Sequence, residues 1–229
     1  MAGHSHWAQI KHKKSAIDKK KSQLIAKLVN LILASAKDNP NPDTNPKLRA
    51  VIERAKDFGI SQEVIERNLK KIKEKKFNDL EEFILEAYDS DGNGILIKCL
   101  SNNRNRTIGE IKSILNKNNA KLAEPGSVSW LFKEVGIIII NKLDFKEEIF
   151  EKNYNLIEDF RENNDKIIFY TDVSNLYNLK YFLEKLNIKI ISTEIRYINK
   201  SYGIIKNKEN LNDLVDKLLN HDDVYEVYY

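Results

Sequence analysis

Residues 82–118, EFILEAYDSDGNGILIKCLSNNRNRTIGEIKSILNKN, hold the plan of the fold in miniature. Segments 82–88 and 94–100 are apolar and partly alternating, and read as strands. Between them, Asp91-Gly92-Asn93-Gly94 signals a hairpin, because Gly and Asn tolerate the positive φ of a tight turn. Segment 107–118 reads as a helix, and Thr107 and Glu110 have the spacing of a capping box. A hairpin running into a helix points to an α+β fold.

Downstream the same texture repeats. Strand-like pieces fall within 121–142, including 137–140. A helix is expected over 144–163, a strand over 166–172, a helix over 174–186 and a strand over 188–198. Ile204 and Ile205 begin a short strand, 210–219 is a helix, and 224–229 closes the chain as a strand. Helices alternating with paired strands indicate sandwiches of the split β-α-β kind. The last strand–helix–strand is too short to stand alone. It is expected to complete the sheet begun at 82–100, which makes the middle segment an insertion.

Upstream the chain reads as helical. Over 15–37, Leu24, Leu28 and Leu31 recur at helical spacing beside Ile25 and Ile32. The run 38–46, DNPNPDTNP, is a breaker. Asn45 then Pro46 resemble an N-cap followed by proline at the first helical position. Leu48, Val51, Ile52 and Ala55 form the stripe of a second helix that Gly59 can end. Ser61 can cap a third, carrying Val64, Ile65, Leu69 and Ile72. The expected domains are 1–76, helical and basic; 77–133 with 203–229, a discontinuous α+β domain; and 134–202, an inserted α+β domain.

Charge is unevenly placed. The 229 residues carry a net +4, but residues 1–76 hold 18 Lys and Arg against 8 Asp and Glu, a net of +10. The remaining residues hold 20 against 26, a net of −6. A basic module on a more acidic body commonly meets nucleic acid, although lysines can also simply solvate helix faces. The densest part is the opening, MAGHSHWAQIKHKK, with His4, His6, Trp7, Lys11, His12, Lys13 and Lys14 and no acid, followed by Lys19, Lys20 and Lys21. Ammonium groups suit phosphates, and an indole can stack on a base. Cys99 is the only cysteine, so no internal disulfide forms and a reducing, cytoplasmic setting is expected. No apolar run reaches the ~20 residues that span a bilayer.

There is no GxxxxGK[ST], GxGxxG or HExxH pattern. Cys99 lies in an alternating strand and reads as core. The opening histidines lie among lysines, which repel a cation, with no cysteine or acid beside them; no metal and no cofactor is expected. Asp89-Ser90-Asp91-Gly92 resembles the start of a calcium loop, but Leu100 stands at the twelfth position where a glutamate is required. Arg104 and Arg106 lie between a strand and a helix start, where free N–H groups and the helix dipole favour an anion; pairing with local acids is the plainer alternative. Tyr225, Tyr228 and Tyr229 are read either as an exposed aromatic patch or, by alternation, as sheet core.

Several blocks carry a family resemblance. The opening AGHSHWAQIKHKKSAIDKKKSQLIAKL, the blocks NPKLRAVIERAK (45–56), LSNNRNRTIGEIKSIL (100–115) and GSVSWLF (126–132), and the ending DDVYEVYY resemble, in order, those of the YebC/PmpR family. The resemblance implies an N-terminal helical domain and two ferredoxin-like α+β domains around a cleft, the third inserted in the second. Bacterial members are described as probable DNA-binding transcriptional regulators, while others act on the ribosome, including a mitochondrial activator of cytochrome oxidase translation and relatives that relieve stalling. The chain departs from the family at 88–94, where YGPGG is usual, and at 155–162, where NLIEDFRE replaces an acidic segment. A proline common before the last helix is also absent.

The expectation is a nucleic-acid-binding regulator rather than an enzyme, with ribosomal RNA preferred as target, DNA as the alternative, and a cleft enzyme as a remote third. The expected contacts are His4, Ser5, His6, Trp7, Lys11, His12, Lys13, Lys14, Lys19, Lys20 and Lys21, then Arg49, Arg54 and Lys56, and the Arg104–Arg106 loop.

Overall fold

The computed structural model describes residues 17–73, 80–149, 154–200 and 207–229, and the side chains of 22–72, 80–149, 155–200 and 207–229. The strand expected at Ile204 and Ile205 and the boundary expected at 76 lie outside these residues. The chain divides into two compact units, the first reaching Lys133 and resuming at Ile198, the second covering Glu134–Tyr197.

The first unit begins with α1 (Ile17–Ser35), α2 (Pro46–Asp57) and α3 (Gln62–Lys73). Asn45 sets the α1–α2 connection. Its Oδ1 accepts from Leu48 N at 3.0 Å, with Pro46 at the first helical position. Its Nδ2 donates to Ser35 O at 2.8 Å and Asn39 O at 2.7 Å, so one side chain starts α2 and ties off α1. The expected stripe of α2, Leu48, Val51, Ile52 and Ala55, is buried. It meets Leu24, Leu28, Leu31 and Ile32 of α1 and Ile65 of α3.

A four-stranded sheet follows in the order β3-β1-β2-β8, from β1 (Glu81–Tyr88), β2 (Gly94–Ser101), β3 (Lys121–Leu122) and β8 (Val224–Tyr228). The β1–β2 hairpin pairs in register from Glu81↔Ser101 to Tyr88↔Gly94. Its turn is held by Asp89, whose Oδ1 accepts from Asp91 N at 3.0 Å and Asn93 N at 2.8 Å, with Gly92 at φ +82°. The carboxylate that sequence compared with a calcium loop thus closes a hairpin. The C-terminal strand β8 pairs antiparallel with β2, completing the sheet.

One face of this sheet packs on α4 (Arg104–Lys117) and α6 (Lys208–Leu219) through Phe83, Leu85, Ile95, Ile97 and Cys99 against Ile111, Leu115, Leu214 and Leu218. Cys99 is fully buried, and burial, then the charge of Asp223, pushes its thiol up to about 12. It is core, and no reactive thiolate. Leu100 and Tyr225 join the helical cluster of α1–α3 instead. Leu100 does so by alternation after Cys99, and Tyr225 through a bulge: pairing skips from Lys98↔Glu226 to Cys99↔Val224, leaving Tyr225 as the extra residue. Tyr225, Tyr228 and Tyr229 are all buried, so the exposed-patch reading of these tyrosines is corrected to core.

The second unit has a sheet in the order β5-β6-β4-β7, from β4 (Phe132–Asn141), β5 (Asp159–Asn163), β6 (Lys166–Thr171) and β7 (Ile190–Asn199). Helix α5 (Leu176–Lys185) covers one face, packing Leu176, Leu179 and Leu183 on Ile138, Ile140, Ile167 and Phe169. The helix expected over 144–163 is corrected: among the described residues of that stretch, 145–147 are not helical, Tyr154–Leu156 is a 3-10 turn, and Asp159–Asn163 is a strand paired with β6, with Phe160 opposite Phe169. Its charged, exposed sequence disguised an edge strand, where charges are tolerated because only one side is paired.

Candidate nucleic-acid interface

The cationic residues expected to bind separate into two groups. His4, Ser5, His6, Trp7, Lys11, His12, Lys13 and Lys14 lie outside the described residues. Lys19, Lys20 and Lys21 fall within the first turns of α1. The opening run therefore leads directly into the first helix of the first unit.

The arginines are engaged with the chain itself. Arg49 donates through Nε to Pro42 O at 3.1 Å and through an Nη to Asp43 O at 2.8 Å, clamping the proline-rich breaker onto α2. Arg54 pairs with Glu226 of β8, whose side chain is 8% exposed. Around it, Lys98 Nζ lies 3.5 Å from the second carboxylate oxygen, and the Tyr228 hydroxyl donates to it at 2.7 Å. Burial pushes the Glu226 carboxyl up. The charges of Arg54 and Lys98 and the hydrogen bonds outweigh that and hold it at about 2. Beside this group, Glu82 takes Lys47 and the Tyr225 hydroxyl. Burial raises its carboxyl, but these partners and Lys98 leave it lowered. Lys56 is exposed.

Arg104 and Arg106 are not in a loop. Helix α4 starts at Arg104 because Asn103, four residues before the Thr107 of the capping box, is the N-cap and its Oδ1 accepts from Arg106 N at 3.1 Å. Thr107 is buried inside the first turns, donating to Asn103 O at 3.1 Å and Asp223 Oδ2 at 2.6 Å. Arg106 donates to that same Oδ2 at 2.7 Å. A helix start favours an anion, and here the chain supplies its own in Asp223. Arg104 pairs with Glu81 at 2.7 Å and lies over the Phe83 ring at 4.9 Å. Asp223 and Glu226 thus receive Arg106 and Arg54, and the closing segment DDVYEVYY ties α4 and α2 to the sheet. Sequence singled out that segment but gave no sign of its partners, more than 100 residues away.

Lys27 adds a further tie, donating to Leu219 O at 2.7 Å and His221 O at 2.8 Å past the end of α6. Burial outweighs the attraction of Asp222 and Asp223 and lowers its ammonium to about 8.

Among the described residues, Glu110, His221 and Asp223 could be compared with a metal site, their ligand atoms lying within 4.8 Å of one another. The hydrogen bonds argue otherwise. His221 Nδ1 accepts from Asp223 N at 3.1 Å, which leaves the ring proton on Nε2, 2.9 Å from Glu110 Oε2. No ring lone pair is left for a metal, and Asp223 already holds Arg106.

Sequence reasoning missed Glu86. This buried strand carboxylate accepts from Gly126 N at 2.7 Å, Val128 N at 2.6 Å and Ser129 N at 2.8 Å. Burial raises its carboxyl, and the three backbone donors together with the Ser129 hydroxyl lower it by more. The Gly126–Phe132 block is therefore a built turn. Gly94 lies against it so closely that a Cβ would sit 2.8 Å from Val128 Cγ1 and Leu131 Cδ1.

These features describe an α+β protein whose helical N-terminal part is fastened by ion pairs to a sheet and preceded by a cationic run. The chain belongs to the TACO1/YebC family: residues 5–75 match the N-terminal domain of TACO1/YebC proteins, and residues 80–229 match their second and third domains. It is 38% identical over its whole length to a probable transcriptional regulatory protein of Caldanaerobacter subterraneus subsp. tengcongensis, covering 97% of that protein. It is 36% identical over its whole length to one of Geobacter sulfurreducens, covering 94%. The crystal structure of a conserved hypothetical protein from Aquifex aeolicus superposes with a TM-score of 0.80 at 35% identity, over 97% of this chain and 95% of that one. Among the described residues, no helix is long and apolar enough to cross a membrane.

Proposed function

We propose that this chain is a cytoplasmic, nucleic-acid-binding regulator of gene expression that acts on the ribosome in translation, by binding rather than by catalysis. The carrying observation is the opening run: six lysines from Lys11 to Lys21 against the single acid Asp18, with three histidines and Trp7. Phosphate neutralisation supplies the affinity, and Trp7 with the histidines adds stacking and hydrogen bonds. The arginines contribute less, because Arg54 is held by a buried carboxylate. Arg104, about half exposed in a surface pair with the exposed Glu81, can exchange that carboxylate for a phosphate; Arg106 is equally exposed, and its partner Asp223 keeps Thr107 when the guanidinium turns to a phosphate. Lys56 extends the basic surface along α2.

The relatives' names, probable transcriptional regulatory protein, support regulation of gene expression and favour the second reading, a DNA-binding regulator of transcription. Structured RNA is preferred here because the cations form a run suited to backbone and shape rather than a helix arrayed to read base edges. Sedimentation of the tagged chain from lysate on a sucrose gradient, with and without nuclease, separates the two. The ribosomal reading expects the chain in ribosomal fractions, released by nuclease. Absence from them, with tight binding to one promoter over random duplex, establishes the DNA reading instead.

A further inference from the structure

Trp130 is 64% exposed, an unusual state for the largest apolar side chain. It sits in a 3-10 turn, Ser129–Leu131, fixed on both sides. Val128 and Phe132 are buried, Gly94 abuts Val128 and Leu131, and Glu86 holds the backbone of Gly126, Val128 and Ser129. The Tyr88 hydroxyl donates to Ser127 O at 2.6 Å. A flexible loop carries an exposed indole by accident; this turn holds one in place.

The indole's polar edge is already used, since Nε1 donates to Ser127 O at 2.8 Å. What remains is π-face. Among the described residues of the first unit, the only other large exposed hydrophobic is Ile84, at 37%. A protein-docking hot spot is normally ringed by apolar contacts, whereas a lone ring beside a cation suits a base on a charged backbone. The cation is present: Lys200 Nζ donates to Trp130 O at 2.9 Å, using one of three ammonium donors. The Lys200 backbone N is tied to Leu131 O at 2.8 Å.

We infer that Trp130 is a stacking platform for an unpaired nucleobase, with Lys200 beside it for the adjoining phosphate and Glu86 as the positioning residue that aims the ring. This rests on the RNA-binding reading above and adds a second contact, remote in sequence from the lysine run.

The test uses the full chain labelled with 5-fluorotryptophan and a 20-nucleotide single-stranded RNA of mixed sequence. Two fluorine resonances, assigned with W130F, should be observed, and RNA should shift or broaden that of Trp130. By fluorescence anisotropy of the labelled RNA, Trp130→Ala should weaken binding about tenfold, whereas Trp130→Phe, which keeps a ring, should lose about threefold or less. Circular dichroism melts of both variants report whether the fold is retained. RNA that binds while the Trp130 resonance stays unmoved, or a folded W130A that binds as the wild type does, overturns this inference alone. A wild-type chain that binds no RNA removes both this inference and the reading it rests on.

Discussion

Arg54→Met separates a structural arginine from a nucleic-acid contact. The variant keeps an apolar stem and deletes the charge that faces Glu226. Removing one partner of a buried pair typically costs ~3–5 kcal/mol. Here Glu226 retains Lys98 at 3.5 Å and the Tyr228 hydroxyl at 2.7 Å, so a loss of about 2–3 kcal/mol is expected. Proton linkage gives an independent scale. A carboxyl held at about 2 against an ordinary 4.5 contributes roughly 3 kcal/mol, to which Arg54 is the largest favourable contributor. Because the folded-state value is depressed, that stabilisation is complete above pH 4.5 and fades as pH falls towards 2. The gap between wild type and variant should therefore be widest at pH 7 and narrow below pH 4.5. Urea titrations followed by far-UV circular dichroism at pH 7, 4.5 and 3.5 read it directly, with a midpoint shift of about 1 M at pH 7. A gap below about 0.5 kcal/mol at pH 7, or one that does not narrow on acidification, would show that Arg54 does not stabilise the Glu226 carboxylate.

Two further substitutions probe local devices. Asn103→Ala removes the N-cap of α4 and should cost about 1 kcal/mol in the same urea titration. Glu86→Gln turns an amide donor towards the Gly126, Val128 and Ser129 N–H groups and should cost about 2 kcal/mol; hydrogen exchange at those three amides should rise selectively.

What the sequence disclosed was local. The hairpin was legible because Asp91-Gly92-Asn93-Gly94 fixes a turn whatever surrounds it, and α2 because Asn45, Pro46 and a four-residue stripe agree. The start of α4 was misplaced because two capping side chains compete within four residues. Asn103 caps the helix, and Thr107 is drawn inward by Asp223, 116 residues away. Strand β5 was missed because an edge strand with charged residues lacks the apolar alternation that marks a central one. The same distance hid the roles of the arginines. Arg54 and Arg106 look like binding residues in a basic segment, and only the fold reveals Glu226 and Asp223 opposite them. Glu86 lay in an apolar strand where a carboxylate reads as solvent-facing, with no local sign of the turn that it holds some 40 residues on. A run of lysines is a local pattern that a sequence displays directly, whereas the partners of Arg54, Arg106 and Glu86 lie too far along the chain to be read from it.

The proposed function rests on the opening lysines carrying most of the binding to nucleic acid, with Arg104 and Arg106 contributing less and Arg54 held in the fold by Glu226. It is tested most directly by the salt dependence of affinity for single-stranded RNA, comparing the wild type with K11A/K13A/K14A. Each phosphate contact adds about 0.7 to the slope of log K against log salt, so the triple variant should bind more weakly with a slope shallower by about 2. An unchanged slope in that variant, with a shallower one in R104A/R106A, would place the phosphate contacts at the arginines instead of the lysine run.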